Sequence, residues 1–160
     1  MKQNLSFLIP AIALFFASPS WADTAKVDYP AGYRHWTHIK SMLIEPGHPL
    51  ENPFQGLHHI YGNDKAMKGL KEGNYPDGSV LVFDLLNYNQ SNNAIQEGPR
   101  KLIGVMVKNK NTFKATGGWG FEGFAGDDKE KRLVADGGLG CYSCHTSEEK
   151  HDFVFSTIRK

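Results

Sequence analysis

Ser-Val-Leu-Val-Phe-Asp-Leu-Leu, residues 79–86, is the strongest strand pattern in this sequence. Adjacent residues of a β-strand face opposite sides of the sheet, so Leu81, Phe83 and Leu85 share one face. The opposite face combines aliphatic side chains with the carboxylate of Asp84. The segment therefore predicts that the fold is built on a β-sheet.

Further strand patterns lie on both sides of this segment. Residues 101–107 (KLIGVMV) predict a second strand, paired with the first as a hairpin across a long polar loop at 87–97. Residues 57–61 (LHHIY) predict a short strand before it. Its two histidines, His58 and His59, must face opposite sides, so at most one of them can face a bound group.

Residues 117–124 (GGWGFEGF) alternate glycine with aromatic residues. Glycine inside a strand marks a place where another backbone or a flat ring approaches closely. A tightly packed corner of the sheet accounts for the same pattern equally well, and both interpretations stay open.

Two short helices are predicted in the first half of the chain. Aromatic and aliphatic residues spaced three or four apart, from Tyr29 to Ile39, predict a helix after Pro30. Residues 42–44 could then begin a strand before a turn. A second helix is expected over residues 65–72, capped by Asn63-Asp64.

Residues 1–22 have the pattern of an export signal. Lys2 supplies a positive charge, and residues 5–17 form an apolar run too short to span a bilayer. Small residues at Ser20 and Ala22 predict cleavage before Asp23, which leaves residues 23–160 as a single domain in the periplasm. The alternative is an uncleaved anchor.

The charge balance excludes two classes of partner. The chain has 18 Lys+Arg and 17 Asp+Glu, and removal of Lys2 makes the two numbers equal. A neutral protein has no electrostatic basis for binding nucleic acid or a membrane surface. No other apolar run approaches membrane length, so we expect no membrane insertion after cleavage of the signal.

The chemistry of the chain is concentrated in residues 141–145, Cys-Tyr-Ser-Cys-His. C-x-x-C-H is the attachment signature of a c-type haem. Cys141 and Cys144 can each add to one vinyl group of the same porphyrin, and His145 then becomes the proximal ligand of the iron. We therefore predict one covalent haem c per chain, and the export signal agrees because bacterial haem c is attached outside the cytoplasm.

Three competing assignments of the motif have less support. A structural zinc site needs four ligands, and this chain has two cysteines only. A thioredoxin-like redox pair belongs to a βαβ unit, for which there is no pattern here. A plain disulfide across so short a loop gains little closure entropy.

The position of the motif near the end of the chain indicates the iron coordination. No methionine follows His145, whereas small helical electron carriers take a sixth ligand from a methionine far downstream. The late motif suggests a five-coordinate iron with one open face. Helical cytochrome c′ also has a late motif, but the strand patterns and 17 glycines of this chain do not fit a four-helix bundle.

The sequence resembles the cytochrome P-460 and cytochrome c′-β family. The matching stretches cover nearly all of the chain after the signal: residues 36–49, 75–78 with the strand that follows, 98–100, 116–122 and the C-Y-S-C-H motif. The resemblance implies an α+β, mainly β fold with an antiparallel sheet and a few short helices. It also implies a homodimer with His145 as the proximal ligand.

The resemblance leaves two functions to compare. Cytochrome P-460 members oxidise hydroxylamine and carry a lysine joined to the porphyrin edge, whereas cytochrome c′-β members bind nitric oxide and carbon monoxide under a cap of two phenylalanines. Asp77 stands where we expect the linking lysine, and Phe54 and Phe83 match the cap. Both observations favour the c′-β type and a role in buffering or detoxifying NO. Ordinary core aromatics remain the alternative for the two phenylalanines.

The alternative functions involve other residues. A cross-linked hydroxylamine oxidase would use a nearby lysine and a distal acid or base, and a simple electron carrier working with a redox partner protein is the weakest hypothesis. The candidates are Lys65, Lys68 and Lys71 for the cross-link, Glu122, Asp136, Glu148 and Glu149 for the acid or base, and Arg34, Arg100 and Arg132 for the haem propionates.

Overall fold

The predicted strand at residues 79–86 lies at the centre of the fold, in β3 (Val80–Ser91). It is the middle strand of a five-stranded antiparallel sheet whose strands follow the order of the chain. The other strands are β1 (Thr37–Ile44), β2 (Gly56–Gly62), β4 (Ala94–Lys108) and β5 (Trp119–Ala125). The prediction of a mainly β fold with an antiparallel sheet is confirmed.

The structure is a computed structural model that describes residues 25–158. The predicted export signal and its cleavage site therefore lie outside the described residues. Three short helices accompany the sheet, α1 (Glu51–Phe54), α2 (Asp64–Glu72) and α3 (Leu139–His145), together with short 3₁₀ turns. Over the described range no helix is long and apolar enough to cross a membrane.

The sheet is covered on both faces, and each face has its own core. The front face carries Leu81 and Phe83 of β3, and its core also includes side chains of α2 and the C-terminal segment around Val154. The back face carries Val82 and Asp84, and the N-terminal segment around Val27 packs on it. Coverage on both faces explains why residues 79–86 are almost continuously apolar.

The predicted helix after Pro30 is wrong. Only Tyr33–His35 form a single 3₁₀ turn, after Gly32 adopts a left-handed φ of 74°. From Thr37 to Ile44 the backbone pairs with β2, with one register shift between His38 and Lys40. This pairing supplies ladder hydrogen bonds to β1 and outweighs the helical spacing. The aromatic residues of the segment pack in the back core, whereas Ile39 packs in the front core.

The predicted loop over residues 87–97 is also wrong. β3 and β4 continue as a paired ribbon to Ser91↔Ala94, joined by a turn of two residues. Asn92 and Asn93 have φ values of 51° and 58°. Positive φ at both central residues matches the twist of a hairpin, and asparagine tolerates it better than most residues.

The helix predicted over residues 65–72 is confirmed as α2. The Asn63 side chain accepts a hydrogen bond from the backbone N–H of Ala66, at 2.9 Å, and so caps the helix. The same oxygen accepts the N–H of Val80 at 3.1 Å, which ties the helix to the start of β3. Gly73 ends the helix with a φ of 75°.

Candidate functional site

The C-x-x-C-H motif lies on α3 in front of the sheet. Asp136 accepts hydrogen bonds from the backbone N–H groups of Gly138 and Gly140, at 2.9 and 2.8 Å, and so holds the first turn of the helix. Residues three apart on a helix lie on the same side, so Cys141 and Cys144 present their thiols together. Both are free cysteines, Cys141 half-buried and Cys144 exposed, so the alternative of a disulfide is not realised.

His145 ends the helix with its ring held from three sides. Its Nδ1 lies 2.7 Å from the carbonyl oxygen of Phe153. Its ring contacts those of Phe121 and Phe155, with centroids 5.1 and 4.9 Å away. Burial lowers the pKa of His145, so the neutral ring is favoured at neutral pH. Since a carbonyl only accepts, Nδ1 carries the proton and Nε2 keeps its lone pair for a metal ion.

The carbonyl that orients His145 belongs to a segment fixed by a buried ion pair. Asp152 and Phe153 both have left-handed φ values, 53° and 66°. The ammonium of Lys108, whose residue is 2% exposed, lies 2.5 Å from Asp152 Oδ1. The indole N–H of Trp119 donates to the backbone carbonyl of Asp152 at 2.9 Å. The proximal side of the site is therefore tied to the sheet through β4 and β5.

Phe54 and Phe83, predicted as a pair, are brought together by the structure. Their ring centroids are 5.7 Å apart with an interplanar angle of 77°. Phe83 lies on the front face of β3, and Phe54 is the last residue of α1. The family resemblance predicted this pair, whereas the spacing of the two residues in the sequence does not indicate a contact.

On the β4 side of Phe83, the front face carries two glycines in neighbouring strands. The cross-strand neighbour of Phe83 on β4 is Gly104, and the next on β5 is Gly123. The three nearest atoms to a Cβ built at Gly104 all belong to Phe83, at 3.5 Å or more. Leu133, 49% exposed, lies over Gly123. On this side of Phe83 the two strands therefore present backbone rather than large side chains, the arrangement at which a flat ring or another chain segment can approach a sheet closely.

The two thiols, the Nε2 of His145 and the glycine pair beside Phe83 together fit a haem. The donor set is the one that haem c attachment requires: two cysteines on one side of a helix and an oriented neutral imidazole. Zinc finds no comparable support, because the described residues contain no group of three or more His, Cys, Asp or Glu side chains placed to hold a metal ion.

The sequence did not distinguish between the two adjacent histidines of β2, and only one of them, His58, lies at the site. The structure places His58 on the front face and His59 on the back, opposite Leu85 and Asp84 respectively. His58 is only 3% exposed, and its ring lies 4.5 Å from that of Phe83. Only the register of β2 against β3 distinguishes the two.

Three of the four acidic candidates from the sequence have structural partners. Glu122, on the back face, pairs with Arg132 at 2.8 Å and accepts the backbone N–H of Gly123. Asp136 caps α3, and Glu148 lies 2.8 Å from Nδ1 of His151. Glu149 is exposed in the 3₁₀ turn after the motif.

The arginine candidates lie on the back face too. Arg34 and Arg100 both donate to the buried carboxylate of Asp84, at 3.0 and 2.7 Å, and Tyr33 donates to it at 2.7 Å. Burial alone would raise the pKa of Asp84, but these hydrogen bonds outweigh it and hold the pKa below its ordinary value. Their role in the structure is to neutralise Asp84 inside the back core.

The lysine candidates project from the exposed side of α2. Lys65, Lys68 and Lys71 are exposed, whereas the buried side of the helix consists of Ala66 and Gly69. Nζ of Lys65 donates to the carbonyl of Asp77 at 3.1 Å. The Asp77 side chain accepts the backbone N–H of Lys110 and so has a structural role in the turn before β3.

Comparison with known proteins agrees with this site. The family model described as cytochrome P460 matches residues 30–156, a range that includes all five strands and the C-x-x-C-H motif. A search of curated proteins found no match. The matched range covers most of the chain, and the family implies a haem cofactor, which the residues of the site fit. The chain therefore belongs to the cytochrome P460 family of haem proteins.

Proposed function

We propose that this protein is an exported, mono-haem c-type cytochrome of the c′-β kind, which binds nitric oxide and carbon monoxide at a five-coordinate iron. Cys141 and Cys144 would hold the haem covalently, and His145 would ligate the iron. Haem iron, when bound, supplies an open coordination position for a small ligand. The physiological role would be to buffer or detoxify nitric oxide in the periplasm, with the protein acting as a homodimer.

The observation that carries this proposal is the contact between Phe54 and Phe83 on the front face. Two apolar rings above an open iron position exclude water and anions, because they offer these ligands no hydrogen bond. Weakly polar diatomic molecules lose little by entering such a pocket. The two glycines beside Phe83 are where a porphyrin would lie against the sheet next to the cap.

The positions of the acidic candidates support ligand binding over hydroxylamine oxidation. An oxidase of that kind needs a base near the iron to take protons from its substrate. Glu122 and Asp136 instead hold an ion pair and a helix start. The three lysines of α2 are exposed, and Nζ of Lys65 is hydrogen-bonded to the carbonyl of Asp77.

The first test is the optical spectrum of the reduced protein, recorded with and without nitric oxide. We expect a high-spin, five-coordinate haem c spectrum that shifts when nitric oxide is added. A strongly red-shifted Soret band would indicate a cross-linked porphyrin and a hydroxylamine oxidase. A low-spin spectrum that does not respond to nitric oxide would overturn the proposal in favour of an electron carrier.

A second test removes half of the cap. Phe83→Ala should admit water or anions, so that the ferric protein binds azide or cyanide more tightly than the wild type does. The matched control is Phe113→Ala, because Phe113 packs in the core of the back face. Equal anion affinities in wild type and Phe83→Ala would contradict the role of the cap.

A further inference from the structure

His58 is a buried polar residue that the fold leaves unsatisfied. It is 3% exposed, and its Nδ1 has no hydrogen-bond partner among the described residues. Buried polar side chains nearly always have a partner, and leaving one without costs the free energy of its desolvation. An orphaned nitrogen at this position therefore calls for a partner that the protein chain does not itself supply.

The surroundings of His58 point to the ligand pocket. Its ring centroid lies 4.5 Å from that of Phe83, and the Phe54 ring centroid lies 5.7 Å from that of Phe83. Its neighbours in the sheet are Met42 on β1 and Leu85 on β3, neither of which offers a strong hydrogen bond. The three rings form one cluster, in which His58 is the polar member.

The ring is neutral at neutral pH. Burial, with the positive charge of Lys40 and the neighbouring His59, lowers the pKa of His58 to about 4. A neutral imidazole has one N–H donor and one acceptor, so it can hydrogen-bond a ligand without bringing a charge into the pocket.

We propose that His58 determines ligand specificity in this pocket: a ligand that displaces the Phe83 ring meets the imidazole of His58 and hydrogen-bonds to it. The inference rests on the proposed function, since it assumes that Phe83 caps the ligand position. His58 adds one hydrogen-bonding group to an otherwise apolar cap. The pocket would then favour small ligands that carry an acceptor atom, bound nitric oxide above all, over wholly apolar ones.

The test uses the haem-loaded protein, with carbon monoxide and nitric oxide as probes. We compare His58→Phe, which removes the hydrogen bond, with His58→Gln, which keeps a donor. His59→Phe is the control, since His59 is the adjacent residue on the back face. The measurements are the C–O stretching frequency of the ferrous carbon monoxide complex and the dissociation rate of nitric oxide.

If the inference is right, His58→Phe raises the C–O frequency and speeds nitric oxide dissociation about fivefold, the factor that one neutral hydrogen bond contributes. His58→Gln lies closer to the wild type, and His59→Phe is unchanged. Identical values in wild type and His58→Phe, while Phe83→Ala shifts both, would overturn the inference and leave the proposed function standing. A wild-type protein that binds neither gas would overturn both.

Discussion

At the scale of single residues, the most constrained group is Lys108. It is almost fully buried, donates to the carbonyl of Gly117 at 3.2 Å and pairs with Asp152. Asp152 in turn precedes Phe153, whose carbonyl orients His145. A buried ion pair adds little net stability, but removing one partner leaves the other charge uncompensated.

Lys108→Met should therefore lower the free energy of unfolding by about 3 kcal/mol. The expected loss is large because Asp152 would remain charged beside Trp119 without its cation. Chemical denaturation of the haem-loaded protein measures it. Lys110→Met, two residues away and exposed, is the control and should change stability by less than about 0.5 kcal/mol.

Asp152→Asn removes the negative charge of this ion pair but keeps a side chain of the same shape. Asparagine also tolerates the left-handed φ of 53° and can still accept from the backbone N–H of Tyr75. We expect this variant to keep the iron–histidine stretching frequency closer to the wild-type value than Lys108→Met does. A larger shift in Asp152→Asn would contradict the link between Lys108 and the orientation of His145.

At the scale of elements, the β3–β4 ribbon depends on its two-residue turn. Asn92 and Asn93 both have positive φ, which costs a β-branched residue about 1–2 kcal/mol. Asn93→Val should therefore destabilise the protein by that amount, and Asn93→Gly should leave its stability equal or slightly higher. Urea denaturation of the two variants gives the comparison. Equal stabilities of Asn93→Val and Asn93→Gly would argue against a turn with positive φ at this position.

The glycine pair beside Phe83 is a property of β4 and β5 together. A Cβ at Gly104 meets no atom closer than 3.5 Å, so the chain itself tolerates a side chain there. A series Gly104→Ala, Gly104→Val and Gly104→Leu should fold, but haem incorporation should fall as the side chain grows. Circular dichroism tests whether the variants fold, and haem content per chain, measured on the same samples, tests whether they incorporate haem. Full haem content in Gly104→Leu would place the haem elsewhere.

At the scale of the whole molecule, the two faces of the sheet respond to acid in different pH ranges. On the front, His58 has a pKa of about 4 against an ordinary value of 6.5. Its pKa is depressed by folding, so its contribution to stability is complete above pH 6.5 and is lost as the pH falls towards 4. On the back, folding lowers the pKa of Asp84, so the contribution of Asp84 to stability is lost only as the pH falls below its ordinary pKa of 3.8.

Between pH 7 and pH 4.5 we therefore expect wild type to lose more stability than His58→Phe does. The difference should reach about 2.4 kcal/mol at pH 4.5, since each pKa unit corresponds to about 1.4 kcal/mol and part of the titration lies below this pH. Denaturant unfolding at several pH values measures it, with His59→Phe as control. Parallel stability curves for wild type and His58→Phe would show that His58 does not titrate with folding.

The sequence predicted local structure well where one influence dominated. Residues 80–86 predict a strand, because all of them except Asp84 are apolar, three are β-branched or aromatic, and the run is short and follows a turn. Asn63 and Gly73 marked the ends of α2, because capping is a short-range interaction. The sequence wrongly predicts a helix from Tyr29 to Ile39, because the aromatic residues of this segment pack on the back face and Ile39 packs on the front face of a sheet that the local sequence does not reveal.

By itself the sequence determined the β-sheet core, the α2 helix, the C-x-x-C-H motif and the resemblance to the cytochrome P460 family. These depend on residue type and short spacing, which are local properties. Tertiary structure alone decided that His58 rather than His59 joins Phe83, that Gly104 and Gly123 align beside it, and that Lys108 reaches Asp152. Each of these depends on strand register or on contacts between distant segments, and a shift of one residue in register would turn every side chain of a strand to the opposite face.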